Sequence, residues 1–541
     1  MRRLQTVILS LCALGGAAAL LPASALAAGG EEELTFEADE AEEIGKTSPP
    51  SKTLEIAKKF YDKEDYHSSS IEFFKVIKGE TKDSESNRQR AEFFLGKTLY
   101  QMQYYAASLA YFDRIVEHGP SHKFYRKTLV WLAALAKVLP ESAGILEKIG
   151  KYSREDLEDK DLDSVRSELY YYLGRYYFRE GNLEEAISLF KSVPEEAKEW
   201  FVKAKFFEGI TWVLMPNGQE AVGAFKDILV IANTPSKRAQ YNPEEMTEYE
   251  ELANLSMARV FYSTKQFETS IKYYEKIPQN SPDWLNSLFE ASWAYFQIKR
   301  NSKALGNIHT LNAPYFENEF FPESVVLKAV MYFQYCRYDS ALEAVSEYRS
   351  VYAPIRDDLR KVVKEHSDDN SEFYRYARKI RDGVGAMPDR VARLAKTALT
   401  DRQLLKTWAF VEELDREIKQ YDRADKAWKT TAIAAEVLQE ISVQKSLAEE
   451  TAGGLARERL KRLITELTEL SRDATTVRVA VLEARKGQIA AEYKKQLISA
   501  DIRQERILVD DEHQTWSFNG EYWKDELGFY RFRIASQCPR K

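Results

Sequence analysis

Cysteine is scarce in this chain of 541 residues, with three in all, at positions 12, 336 and 538. Two distant thiols, Cys336 and Cys538, make no disulfide framework, although an oxidising compartment would let them pair. Proline (16) and glycine (23) are also few for the length, which counts against loop-rich β structure and for helix. Neither sign of charge dominates. Taking Arg2 and Arg3 from the 78 basic residues, against 85 acidic ones, moves the formal charge only from −7 to −9. Mild acidity excludes nucleic acid as the main ligand. Beyond residue 27 no run approaches the ~20 apolar residues that a bilayer span needs. Aromatics, by contrast, are plentiful, with 31 Tyr and 27 Phe, and a 44% hydrophobic content can fill a sizeable core.

Residues 1–27 read as a secretory signal: Arg2 and Arg3, a largely apolar stretch over 4–21, then Ala25-Leu26-Ala27 as a cleavage site. Cys12 lies inside the apolar stretch, and no cysteine stands just after that stretch to carry a lipid. The expected product is exported, periplasmic or outer-membrane-associated, with no transmembrane span once the signal is cleaved. Residues 28–50 follow as an acidic linker, with Glu31, Glu32, Glu33, Glu37, Asp39, Glu40, Glu42 and Glu43 crowded ahead of Pro49-Pro50. Such charge with little apolar content is expected to stay disordered.

The organising stretch is 169–193, LYYYLGRYYFREGNLEEAISLFKSV. Apolar and small residues recur at steps of three and four on either side of Gly181-Asn182, which describes two amphipathic helices and a tight turn. Gly174 and Ala186 fall where the helices would cross, and small side chains let helix axes approach. The same frame holds Ala57, Phe60, Tyr66, Ser69 and Phe73; then Leu95-Gly96, Leu99, Tyr105, Ser108 and Phe112, with Pro120 ending the second helix. It returns at Gly209, Ala221 and Phe225; at Ala258, Phe267, Ser270 and Tyr274; at Ser292, Ala304 and Ile308; and at Ala329, Ala341, Val345 and Tyr348, closed by Pro354. Residues 122–163 are helical but off the frame, as a decayed repeat or a spacer pair.

This pattern resembles the tetratricopeptide repeat, whose period is about 34 residues. The resemblance implies an all-α solenoid, a right-handed superhelix of about seven helix pairs over 51–354, and a scaffolding role. A helical connector is expected over 355–403. Over 404–500 a heptad rhythm runs through Leu404, Val411, Ile418 and Leu414, Tyr421, Trp428. After Gly453-Gly454 it resumes with Leu460, Leu467, Ala474, Val481 and Leu463, Leu470, Val477, Ala484. That rhythm reads as a coiled coil open to self-association, or as an antiparallel hairpin reversing at the glycine pair. The aromatic-rich tail, 501–541, is either a small hairpin turning at Asn519-Gly520 and packing on the coil, or an exposed docking segment.

Chemistry is not expected. Gly96-Lys97-Thr98 and Gly45-Lys46-Thr47 imitate a phosphate loop, but Ala91 and Glu40 stand where its first glycine belongs. Gly383-Val384-Gly385 lacks the third glycine of a dinucleotide fingerprint. Asp159, Asp161 and Asp163 open like a calcium loop, yet Ser164 and Tyr170 replace its glycine and closing glutamate. The six histidines are scattered, without a pair four apart on one helix face, and Asp510-Asp511-Glu512-His513 reads as a solvated loop. No cofactor, metal or catalytic residue is assigned.

The resemblance instead puts the first helix of each pair on a concave surface. The residues it would present are Phe93, Lys97, Tyr100, Tyr171, Arg175, Phe178, Phe206, Arg259, Tyr262, Phe289, Trp293 and Phe296. They form an aromatic groove, basic in its first half, suited to acidic and apolar peptide segments of other envelope proteins, or else they fill a tight interior. The asparagines of the family's carboxylate clamp are absent. The layout of leader, repeats, charged helices and the terminal Phe518-Asn519-Gly520-Glu521-Tyr522-Trp523 with a late Cys538 also resembles periplasmic repeat proteins of gliding-motility machinery, which implies a trans-envelope complex. The alternative is a cell-wall enzyme, or a regulator of cell-wall synthesis, built on a helical superhelix.

Overall fold

A computed structural model describes residues 49–316, 319–366, 369–384, 389–495 and 518–538. The expected signal, nearly all of the acidic linker, residues 501–517 and the 510–513 cluster lie outside the described residues. The fold is all-α: packed helix pairs joined by short turns, with no strand among the described residues. No helix among them is long and apolar enough to cross a membrane.

The helices run in chain order as follows. α1 (Lys52–Tyr61) pairs with α2 (Tyr66–Ile77), and α3 (Glu85–Gln101) with α4 (Tyr105–His118). The off-frame stretch holds α5 (Thr128–Val138) and α6 (Ile145–Ile149), followed by the pair α7 (Arg166–Glu180) and α8 (Leu183–Lys191), then α9 (Glu199–Leu214). Next come α10 (Gly218–Ala232), the short α11 (Pro235–Arg238), and the pair α12 (Pro243–Ser263) and α13 (Phe267–Tyr274). Two more pairs are α14 (Trp284–Gln297) with α15 (Asn301–Leu311), and α16 (Pro322–Gln334) with α17 (Tyr338–Glu365). Last are α18 (Asn370–Arg381), α19 (Asp389–Ala398), α20 (Arg402–Arg423), α21 (Lys426–Lys429) and α22 (Ala432–Lys495).

Each pair turns by the same backbone device. One residue takes the left-handed conformation: Glu64, Gln103, Gly181, Lys265, Lys299 and Cys336, with φ between 55° and 78°. The N–H that follows reaches back five residues, as from Asp65 to the Phe60 carbonyl and from Arg300 to that of Tyr295, closing the first helix. Glycine is the usual residue for this conformation, yet only one of the six turns has it. The crossings repeat as faithfully. The Ser69, Ser108 and Ser270 hydroxyls donate to the carbonyls of Ala57, Gly96 and Ala258, each 12 residues back, at 3.0, 2.8 and 2.7 Å. A Cβ on Gly96 would lie 2.8 Å from the Phe112 ring, and one on Gly174 2.7 Å from Phe190, so these glycines make room for the ring of the opposing helix.

The described residues divide into two compact units, one of 49–216 with 402–455 and one of 217–401 with 456–538. In the first, the off-frame stretch is a repeat whose second helix has shrunk to the five residues of α6. α5 is buried on almost every side, from Thr128 to Leu135. α20 leads to a reversal over 424–431, and the following stretch of α22 returns, with Lys445 paired to Asp415 at 2.6 Å. The two are antiparallel, but the reversal is not at Gly453-Gly454. Gly453 lies in a buried small-residue stripe of α22 with Ala448, Ala452 and Ala456.

In the second unit the heptad stripe of α22 packs on the repeats. Leu470 and Ala474 pack with Val325, Val326, Ala329, Val345 and Tyr348 of α16 and α17, and the Tyr348 hydroxyl donates to the Leu467 carbonyl at 2.9 Å. α17 also runs straight through Pro354, where the sequence suggested an end, because Tyr348 before it and Ile355 and Leu359 after it are all buried. Residues 518–538 form an irregular strap with no hairpin strands. They lie on α14 and α15 rather than on the α22 seam, with Leu527 and Ile534 buried among those helices.

Candidate interaction site

The twelve residues expected to face a groove lie on the first helices, and the structure turns most of them into one another. In the first unit Phe93 stacks on Phe124 at 4.6 Å. The Lys97 ammonium sits among the rings of Phe94, Tyr61, Trp131 and Phe93, 4.7 to 5.8 Å from their centres, and Tyr100 meets Trp131 edge-on. Tyr171 touches Trp200 and Phe207, while Phe178 meets Phe207 and the buried Phe206 does the same. The Arg175 guanidinium lies 4.0 Å over Phe207 and pairs with Glu141 at 2.6 Å. Glu141 also binds Lys406 of α20. Burial alone would raise Glu141, but the two cations outweigh it and hold the carboxyl down to about 2.

The second unit repeats the pattern. Arg259 grips Glu290 with two nitrogens at 2.7 and 2.9 Å, and Tyr262, Phe289, Trp293 and Phe296 close onto Phe267, Phe321 and each other. The cations of this inner face thus meet carboxylates or rings of their own chain. Sequence reasoning could not see Glu141 or Glu290 as partners of Arg175 and Arg259, since each comes from a neighbouring repeat.

The impostor motifs resolve in the same local way. Gly96-Lys97-Thr98 is mid-helix in α3. Asp159 accepts from the Asp161 N–H and pairs with Arg126, shaping a turn. His118 and His122 do stand four apart, but Gly119-Pro120 ends the helix between them, and their rings meet edge-on at 5.7 Å.

The open feature is in the second unit, between α13, α14, α15 and the strap. It is a cavity of about 990 Å³. The strap above it is held at several points. The Gly528 N–H donates to Thr310 Oγ1 at 2.9 Å, the Phe532 N–H to the Ser302 carbonyl at 3.0 Å, and the Gln537 N–H to the Tyr335 carbonyl at 2.9 Å. A disulfide joins Cys538 to Cys336, at the left-handed turn between α16 and α17. His309 is the anvil for the aromatic end: Tyr522 stacks on it at 4.5 Å, and Phe518, Tyr530 and Phe532 surround it. Burial, and Lys328 nearby, push His309 down to about 4, so the ring is neutral at neutral pH. Gly306 is required here, because a Cβ would run into the Tyr530 carbonyl.

Five cations line the cavity, Lys299, Arg300 and Lys303 from the turn and first residues of α15, and Arg531 and Arg533 from the strap. Its one carboxylate, Glu275, accepts the Tyr295 hydroxyl at 2.5 Å. The Lys303 ammonium donates to the Gly528 carbonyl at 2.8 Å and lies 5.7 Å from the centre of the Phe529 ring, which is 68% exposed. Burial and the nearby Arg531 lower the Lys303 pKa from its ordinary value. None of these residues was singled out from the sequence. The available signal was Arg531-Phe532-Arg533, since an extended chain sends alternate side chains to one side.

No family model matches the chain, and no curated protein matches it. Among solved structures, a tetratricopeptide repeat protein from Parabacteroides merdae is similar at 13% identity and a TM-score of 0.25, over 55% of this chain and 91% of that one. The Cut9–Hcn1 hetero-tetramer of APC/C is similar at 12% identity and a TM-score of 0.21, over 78% of this chain and 96% of the matched chain.

Proposed function

We propose that this protein is an exported, non-catalytic scaffold that holds other envelope proteins together, as part of a trans-envelope assembly of the motility or envelope-building kind. The observation that carries the reading is the stacked helix-pair array, which closes its own inner face and leaves one large charged cavity with an exposed aromatic rim. Arrays of this kind offer extended surfaces to other polypeptides. The Cys336–Cys538 bond supports a location outside the cytoplasm, where disulfides persist. Exposed rings at Tyr315, Phe518, Trp523 and Phe529 suit a protein partner, because aromatic anchors dominate binding energy at such interfaces.

The test is photocrosslinking in the native envelope from probes placed at Trp523 and Phe529, with a probe at the exposed Val230 as a control. Discrete adducts with envelope proteins from the strap positions are the expected result. Release of cell-wall fragments by the purified protein alone would replace the scaffold reading with an enzymatic one.

A further inference from the structure

We propose that the cavity beneath the strap seats an acidic segment of a protein partner, its carboxylates held between Lys303 on α15 and Arg531 on the strap. The inference rests on the scaffold reading and names the chemistry of what is bound.

Three observations converge. The first is charge. Five cations face a single carboxylate, and that carboxylate is engaged by Tyr295. Among the described residues Lys299 and Arg531 make no ion pair, whereas the cations of the inner face, such as Arg175 and Arg259, have Glu141 and Glu290. Lys303 is half-buried and the other four cations are exposed, and like charges gathered at one cavity attract an anion. Arg300 reaches Glu268 at 3.9 Å, so the cavity cations that the proposal uses are Lys299, Lys303 and Arg531.

The second observation is the wall between the cations. Ile277, Trp284 and Leu288 line the same cavity, so an occupant must carry apolar groups as well as negative ones. Inorganic phosphate would leave this surface wet. A neutral sugar polymer would bring no anion to Lys299, Lys303 and Arg531. A peptide alternating acidic and aliphatic residues satisfies both kinds of wall.

The third observation is size and access. About 990 Å³ lies at the upper end of what a small ligand fills, and the exposed Phe529 at the rim extends the contact beyond the cavity. The roof is fixed by a disulfide and three backbone N–H donors, so the cations are held in place before the ligand arrives.

The experiment uses the oxidised full chain and a short fluorescent peptide of alternating glutamate and leucine, read by anisotropy. A lysine–leucine peptide serves as the control, with a sulfated oligosaccharide and inorganic phosphate as competitors. Saturable binding of the acidic peptide that weakens with added salt is expected, with none for the basic one. Lys303→Glu with Arg531→Glu should weaken binding by about tenfold or more, in line with the cost of reversing charge at a contact. Because Lys303 also ties down Gly528, that double variant can disturb the strap. Arg531→Gln is the deciding variant, since its side chain makes no hydrogen bond or ion pair among the described residues, and it should weaken binding severalfold with an unchanged melting curve. Unchanged binding by Arg531→Gln would overturn the proposal, as would displacement of the peptide by the sulfated oligosaccharide or phosphate at lower concentration. If strap crosslinks to envelope proteins persist unchanged in Arg531→Gln, the scaffold reading survives and this inference alone fails.

Discussion

The carboxy-terminal helices meet the repeats in both units, and they do so by opposite electrostatics. In the first unit ion pairs cross the contact. Glu141 lies between Arg175 and Lys406, and Glu436 takes Lys78, Arg114 and the Tyr111 hydroxyl, whereas Glu417, which accepts the Ala106 N–H at the start of α4 at 2.8 Å, is pushed up to about 8 by burial and by Glu413. In the second unit the contact is an apolar stripe, Leu470 and Ala474 on α16 and α17, bordered by acids that face one another. Glu323 is pushed up to about 7 by burial, then by Glu466 and Asp473. Paired acids fix a docking geometry, whereas like acids around an apolar seam make the docking depend on protons.

The largest expected effect comes from breaking a pair in the first unit. Glu141→Ala leaves Arg175 and Lys406 half-buried without their anion, which should cost about 3 to 5 kcal/mol. Amide exchange in α7 and α20 should accelerate together, and unchanged protection would mean the triad contributes little. Next is the seam itself. Leu470→Ala should destabilise the second unit by about 2 to 4 kcal/mol, read as a lower urea midpoint with little change in exchange over α3 and α4.

The pH responses of Glu141 and Glu323 should then differ in sign. Glu141, held below its ordinary value, contributes stability that is full above about pH 4.5 and is lost as pH falls toward 2. Glu323, held above its ordinary value, keeps its proton in the folded state between about pH 4.5 and 7. Its contribution is therefore full below that window and is lost as pH rises through it. Glu323→Gln should flatten the second unit's profile and stabilise it by about 1 kcal/mol above neutrality. Exchange in α16 that is indifferent to pH from 5 to 8 would remove the comparison. The smallest effect is Glu436→Gln, about 1 kcal/mol or less, because its cationic partners are largely exposed and salt screens them.

How much of this was legible follows from which interactions are local. Small residues twelve apart, Gly96 with Ser108 and Ala258 with Ser270, mark each crossing because both partners belong to one pair. The turns were harder to see, since five of the six left-handed positions carry a side chain. Pro354 and Gly453 misled for a shared reason. Burial on both sides of each outweighs a local preference of about 1 to 3 kcal/mol, so the helix continues. The heptads predicted a buried stripe correctly, but period alone cannot say whether a second coil or a stack of repeats covers it. The cationic cavity lay deeper still. Lys303 and Arg531 are 228 positions apart in sequence, and only the strap's path over Gly306 brings them to one place.

The bond between Cys336 and Cys538 closes a covalent ring of which the polypeptide from 337 to 537 is the rest. A pull on the chain at residue 538 is therefore delivered through sulfur to the turn between α16 and α17, bypassing α17 to α22. Under tension those helices carry no load while the bond lasts. Reduction would put all of them in series and lengthen the tether before any repeat gives way.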